Sequence, residues 1–204
     1  MDNNLRTKNI ILEQGFAQFS QNGMRQFTVE SLATNLGMSK KTIYKFFPTK
    51  EILIEKVIGN FTGSIKKKFM TVVESDDDPI NKFNSVMEFL RKKIGYIKME
   101  NLAEVKIRYP QIWNNIEEFR LEMVRYITTI FEEAQDKGFA NPELNMDVVA
   151  IIYINIINAT FQPEFFLKNN LAPVDTIKTF VKMVTEGIFI YKEDTNNNND
   201  FIWE

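Results

Sequence analysis

The chain has no cysteine and no histidine among its 204 residues. Without thiols there is no disulfide, no thiol-based redox sensor and no thiolate metal site, which fits a reducing, cytoplasmic setting. Without imidazole the chain lacks the commonest transition-metal ligand and the side chain most often used as a general base. It also has no Gly-rich phosphate loop and no Glu-x-x-His pair, so no metal, cofactor or catalytic role is expected. Long hydrophobic runs are missing too. The most apolar stretch, Val148 to Ile157, is interrupted by Asn155 and falls far short of the ~20 residues that span a bilayer. Met1 to Gly23 is amphipathic rather than a charged start followed by an apolar core, so neither a secretory signal nor a membrane partner is expected.

What is present is an ordinary globular mixture, 44% apolar and 25% charged, with eighteen Phe against two Trp and six Tyr. That Phe load suits a bulky apolar interior and an apolar cavity. The net charge of −2 hides an asymmetry: residues 1–58 carry eight Lys/Arg against five Asp/Glu, and the remainder seventeen against twenty-two. A basic head on an acidic body confines contact with a polyanion to the head.

The hydrophobic period is helical throughout, giving an all-α chain of about nine helices. A first helix spans Leu5 to Gln21 and stops at Asn22-Gly23, a left-handed C-terminal signal. Thr28 caps a second, Val29 to Leu36. Gly37 turns the chain and Ser39 caps a third, Lys40 to Phe46. A long helix from Lys50 to Val73 links head to body. Beyond the loop Ser75 to Pro79, helices are predicted over Ile80–Met99, Asn101–Arg108, Gln111–Lys137, Met146–Leu167 and Pro173–Tyr191. The carboxylate pairs Glu117/Glu118 and Glu132/Glu133 are adjacent on a long helix and read as solvated. The division is a three-helix head over residues 1–48, a helical body over 49–192 and a disordered Asn-rich tail over 193–204.

Thr28 to Lys50 carries the functional signal: two short helices about a tight turn, with basic and hydroxyl residues at the start of the second. That is the pattern of a helix-turn-helix, which lays its second helix in the major groove of DNA. Lys40, Lys41 and Lys45 suit guanine edges or phosphates, and the Thr42 methyl suits a thymine methyl. The Tyr44 hydroxyl suits a phosphate oxygen, while Ile43, Phe46 and Phe47 form the buried side. Thr28, Ser39 and Lys50 stand at helix N-termini, where backbone amides favour phosphate.

These residues resemble the TetR family of bacterial transcriptional regulators. The likeness rests on Phe16 and Phe19 with Asn22-Gly23, on Thr28-Val29, Leu32-Ala33 and Gly37-Met38-Ser39-Lys40, and on Thr42-Ile43-Tyr44, Phe47 and Lys50-Glu51. It covers roughly residues 5–58. It implies an all-helical homodimer with a helix-turn-helix head and a body holding a ligand pocket. It further implies repression at a near-palindromic operator, released by a small-molecule effector. One departure is Lys41, where the family commonly has a small residue; it bears on operator sequence and adds a charge.

The body supplies two further sets of candidates. Phe69, Phe83, Met87, Leu90, Ile94, Trp113, Phe119, Met123, Tyr153 and Phe161, with Asn158 and Gln162 as polar handles, are candidate lining for an apolar pocket. The helix from Met146 is apolar on nearly every face and so needs burial on every face. The final helix carries Ile177, Phe180, Val181, Val184 and Ile188 in one stripe. Together with Val149, Ile152 and Ile156 these are candidates for a four-helix interface between two copies. The alternative is a helical-bundle small-molecule-binding protein or enzyme whose head no longer binds DNA. A regulator that activates, or answers a protein partner, is a third reading.

Overall fold

Three helices form the head in the computed structural model, which describes residues 3–95 and 97–189. They are α1 (Asn3–Gln26), α2 (Val29–Asn35) and α3 (Lys40–Phe46). The long α4 (Lys50–Val73) leads to α5 (Pro79–Ile94), α6 (Met99–Arg108) and α7 (Pro110–Asp136). The body closes with α8 (Met146–Thr160), α9 (Pro163–Asn169) and α10 (Pro173–Ile188). Among the described residues the one β feature is an antiparallel bridge between Ala140 and Phe189.

Among the described residues ten helices replace the roughly nine of the sequence reading, and the differences have local causes. Residue 23 interrupts the first helix where predicted, with Gly23 at φ 78°, but helical turns resume after it to Gln26. The helix expected to reach Met99 ends at Ile94. Gly95 there lies so close to α10 that a Cβ would stand 2.5 Å from a Val174 methyl and 2.6 Å from the Arg91 carbonyl. The helix expected to reach Leu167 breaks before Pro163, which offers no N–H and drives Gln162 into an extended conformation (φ −111°, ψ 139°). Segments α8 and α9 consequently meet at 68°. No single helix among the described residues is long and apolar enough to cross a membrane. The predicted end of the last helix at Tyr191 and the tail over 193–204 lie outside the described residues.

Two apolar cores stack along α4. The upper one joins Ile11, Phe19, Phe27, Leu32, Ile43 and Phe47 to Leu53, Ile54 and Val57 of α4, and is closed from below by Val105 of α6 and Ile112 of α7. The lower one takes Ile65, Phe69 and Val72 of the same helix into the body. The head predicted to end at residue 48 thus packs without a seam onto the first turns of α4. Gly15 permits the close approach of α1, since a Cβ there would lie 2.7 Å from a Val57 methyl.

A charged group is buried beside the lower core. The Lys82 ammonium donates to the Val73 carbonyl (3.0 Å) and to both Glu133 oxygens (3.0 and 2.9 Å), joining α5 to α4 and α7. Glu133, read from sequence as solvated, turns inward because this otherwise unpaired ammonium needs a counter-charge.

Candidate nucleic-acid interface and ligand cavity

The turn between α2 and α3 is built by backbone bonding. Gly37, at φ 62°, donates to the Thr34 carbonyl at 3.1 Å, and Met38 donates to Ala33 at 2.9 Å, the double closure of a Schellman ending. Thr28 caps α2 by accepting the Ser31 N–H (3.1 Å), and Ser39 caps α3 by accepting that of Thr42 (3.0 Å). Ile43 and Phe47 are fully buried and set the roll of α3. Lys40, Lys41, Tyr44 and Lys45 are left exposed, within an arc of about 140° at 100° per residue. Thr42 is half-buried at the edge of this arc, and its hydroxyl lies 2.9 Å from that of Ser39.

The cations of this surface are not equivalent. Lys40 is held 2.5 Å from the Glu30 carboxylate of α2. That hydrogen bond raises the Lys40 pKa and lowers that of Glu30 from their ordinary values. Lys50, in the first turn of α4, places its ammonium 6.0 Å from the centre of the Phe27 ring. Lys41 and Lys45 have no side-chain partner among the described residues, and they present the open charge of α3.

Below the head lies a cavity of about 190 Å³, walled by side chains from α1 and from α4 through α10. Phe69, Met87, Leu90, Ile94, Trp113, Phe119, Met123, Tyr153 and Phe161 stand on its wall. Three candidates do not. Phe83 is fully buried in the lower core, with ring centres 5.7 Å from Phe131 and 5.5 Å from Phe189. Asn158 is half-buried off the wall, and its side-chain oxygen has no partner among the described residues. Gln162 stands behind the wall, where its amide donates to Glu117 (3.2 Å) and accepts from Lys106 (3.3 Å). Burial raises the pKa of the Tyr153 hydroxyl.

The face assigned to a partner needs correction. Ile177, Val181, Val184 and Ile188 are buried in the chain's own lower core, because the apolar stripe of α10 packs on α5. Phe180 is half-buried on the cavity wall, its ring 5.3 Å from that of Tyr153. On α8, Val149 packs partly against the core and Ile156 is half-buried. Ile152 is 53% exposed, beside Val148 at 49% and Ile151 at 61%. The outer side of α10 shows Met183 at 64%, between exposed Thr179 and Gly187.

Residues 11–57 match the family model described as bacterial regulatory proteins, tetR family. Over that segment the chain matches the TetR family. It is 27% identical over 180 residues to the HTH-type transcriptional regulator YvaF of Bacillus subtilis strain 168, covering 87% of this chain and 93% of that protein. The HTH-type transcriptional repressor KstR2 of Mycobacterium tuberculosis is 19% identical over 143 residues, or 68% of this chain and 72% of the relative. A transcriptional regulator from Saccharomonospora viridis, solved in complex with choline, superposes with a TM-score of 0.70 at 14% identity, covering 92% of this chain and all of that one. Like the relatives it matches, this chain is a DNA-binding transcriptional regulator rather than an enzyme.

The sequence reading missed the polar part of the cavity. Glu117 and Arg120 both stand on the wall, three residues apart and joined by a salt bridge. Their signal was legible: they share the apolar stripe of α7 with Trp113, Ile116, Met123 and Ile127, where a charge has to be explained. Phe16 and Phe19 of α1 and Phe61 of α4 also line the cavity, so the head contributes wall as well. Only the packing of α1 across α4 reveals that.

Proposed function

We propose that this regulator is a homodimeric repressor of a near-palindromic operator, released when a small apolar or amphipathic molecule enters the cavity. Lys41 and Lys45, with Lys40, Thr42 and Tyr44, serve the major groove. Thr28, Ser39 and Lys50 serve the flanking phosphates. The exposed sides of α8 and α10 meet a second copy about a two-fold axis. Such a regulator works in the cytoplasm, where its operator lies.

One observation carries the release step: the cavity touches the helices that hold the head. Phe16 and Phe19 of α1 and Leu102 of α6 share its wall. Beside Leu102, the buried Asn101 amide donates to the Phe19 and Ser20 carbonyls at 3.1 and 3.3 Å. A molecule that spreads these walls shifts α1 and with it the spacing of two recognition helices, which the duplex demands at ~34 Å. The name of KstR2 as a repressor and the choline in the Saccharomonospora viridis regulator support both halves of the reading.

Selection of bound fragments from a random DNA pool, followed by affinity across a salt series, tests it. An enriched inverted repeat with binding that falls steeply as salt rises is the expected result. Absence of any enriched sequence sinks the repressor reading.

A further inference from the structure

The polar composition of the cavity wall limits what it can hold. Arg120 and Glu117 are its charged side chains, and they are already spent on each other and on fixed neighbours. One terminal nitrogen of Arg120 donates to the Glu117 carboxylate, and the other donates to the Ile157 carbonyl at 3.0 Å. Glu117 also accepts from the Gln162 amide. The pair is charge-balanced, so an incoming carboxylate finds no free cation, and an incoming ammonium finds no free anion. A charge left unpaired in such surroundings is strongly disfavoured. Within this charged pair one donor remains unspent: the Arg120 Nε–H is buried and has no acceptor among the described residues.

We infer that the effector is an uncharged, mostly hydrocarbon molecule with a single hydrogen-bond acceptor, a ketone or ester oxygen, which the Arg120 Nε–H takes after a small side-chain shift. The inference rests on the reading of this cavity as the effector site. Size narrows the class further. A dry cavity of about 150 Å³ holds benzene. The 190 Å³ here suits one ring with a short side chain, roughly ten non-hydrogen atoms. Phe16, Phe61 and Trp113 give such a ring flat apolar walls.

Isothermal calorimetry on the full chain, without DNA, separates the alternatives with four probes of similar size. Propiophenone carries the neutral acceptor, 2-phenyl-1-butene replaces its oxygen by a methylene, phenylacetate carries an anion and benzyltrimethylammonium a cation. The ketone is expected to bind about tenfold more tightly than the alkene, the worth of one hydrogen bond to a charged donor, and more tightly still than either ion. Arg120→Lys keeps the ion pair but lacks the Nε–H, and should bring ketone and alkene within about twofold. Glu117→Gln leaves the guanidinium uncompensated and should swing preference to phenylacetate. Equal binding of ketone and alkene, tighter binding of either ion to the unaltered chain, or no binding of any probe at millimolar concentration overturns the inference. Operator affinity is read separately. A ketone that binds with this selectivity yet leaves DNA binding unchanged defeats the release reading while the ligand class stands.

Discussion

At the residue scale, the exposed cationic face of α3 is tuned by one acidic neighbour. Lys40 is tied to Glu30, so the free head presents fewer open cations than its lysines suggest. Glu30→Gln should release Lys40, tighten operator binding several-fold at low salt and steepen the slope of log affinity against log salt by about one unit. A titration across a salt series reads both, and an unchanged slope would show that Lys40 reaches no phosphate. Gly23 holds the opposite end of the head. Its φ of 78° is costly for any residue with a Cβ, and that Cβ would stand 2.5 Å from the Asn101 side-chain oxygen. Gly23→Ala should cost about 2 kcal/mol or more and lower the melting temperature by roughly 4–8 °C. Asn101→Ala loses two hydrogen bonds of its own, so the comparison is a double-mutant cycle: in the Asn101→Ala background Gly23→Ala should cost only the backbone part. A thermal melt in which the Gly23→Ala variant matches the parent would refute this contact.

At the element scale, helix starts were more legible than helix ends. The caps Thr28 and Ser39 are chemical signals confined to one turn, and each accepts the backbone N–H three residues on. The ends at Ile94 and Thr160 depend on matters a period search does not weigh: the approach of Val174 to Gly95, and the missing N–H of Pro163. Helix α3 was legible because its buried and open sides alternate within seven residues. The cavity was legible only in its apolar part, since nothing in a one-dimensional pattern says which apolar residue meets space and which meets another side chain. Phe69 and Phe83 are both fully buried in the lower core, yet the first also reaches the cavity wall and the second does not. The tie between α5 and α7 makes a prediction at this scale. Burial alone would raise the pKa of the Glu133 carboxyl, but hydrogen bonds from Lys137 and Lys82 outweigh it and hold the pKa below its usual value. A carboxyl lowered in the folded state stabilises fully above its unfolded pKa of ~4.3, and loses that contribution as pH falls through the folded value. The urea midpoint should therefore drop as pH falls from about 5 to 3, and Glu133→Gln should flatten part of that drop. Lys82→Ala should cost about 2 kcal/mol at neutral pH, less than the ~3–5 of a fully buried pair, because Lys137 still serves Glu133.

At the scale of the whole molecule, the arrangement of α4 and α8 decides how one chain becomes a regulator. With both cores strung along α4, a change in the lower core reaches the head through a rigid helix rather than a linker. A coupling of ~1–3 kcal/mol between cavity and operator would change DNA affinity roughly 5- to 150-fold. That lever acts on spacing only if two heads are joined, and the joint must come from surface the chain leaves uncovered. Helix α8 turns Tyr153 and Ile157 inward while Val148, Ile151 and Ile152 face out, and α10 adds Met183. An apolar strip of this kind on two neighbouring helices suits a two-fold, self-complementary contact. Ile152→Glu with Met183→Glu would place like charges near the axis of such a contact, four in the pair of chains. The double variant should sediment as a folded monomer with an unchanged helical circular dichroism spectrum. Operator affinity should fall by a factor on the order of 100 or more, the gain that joining two half-site contacts supplies. Binding of a neutral probe to the cavity should survive, because neither residue is on its wall. Persistence of a dimer in the double variant would move the joint elsewhere on the body, and with it the geometry by which the cavity could set the distance between the two recognition helices.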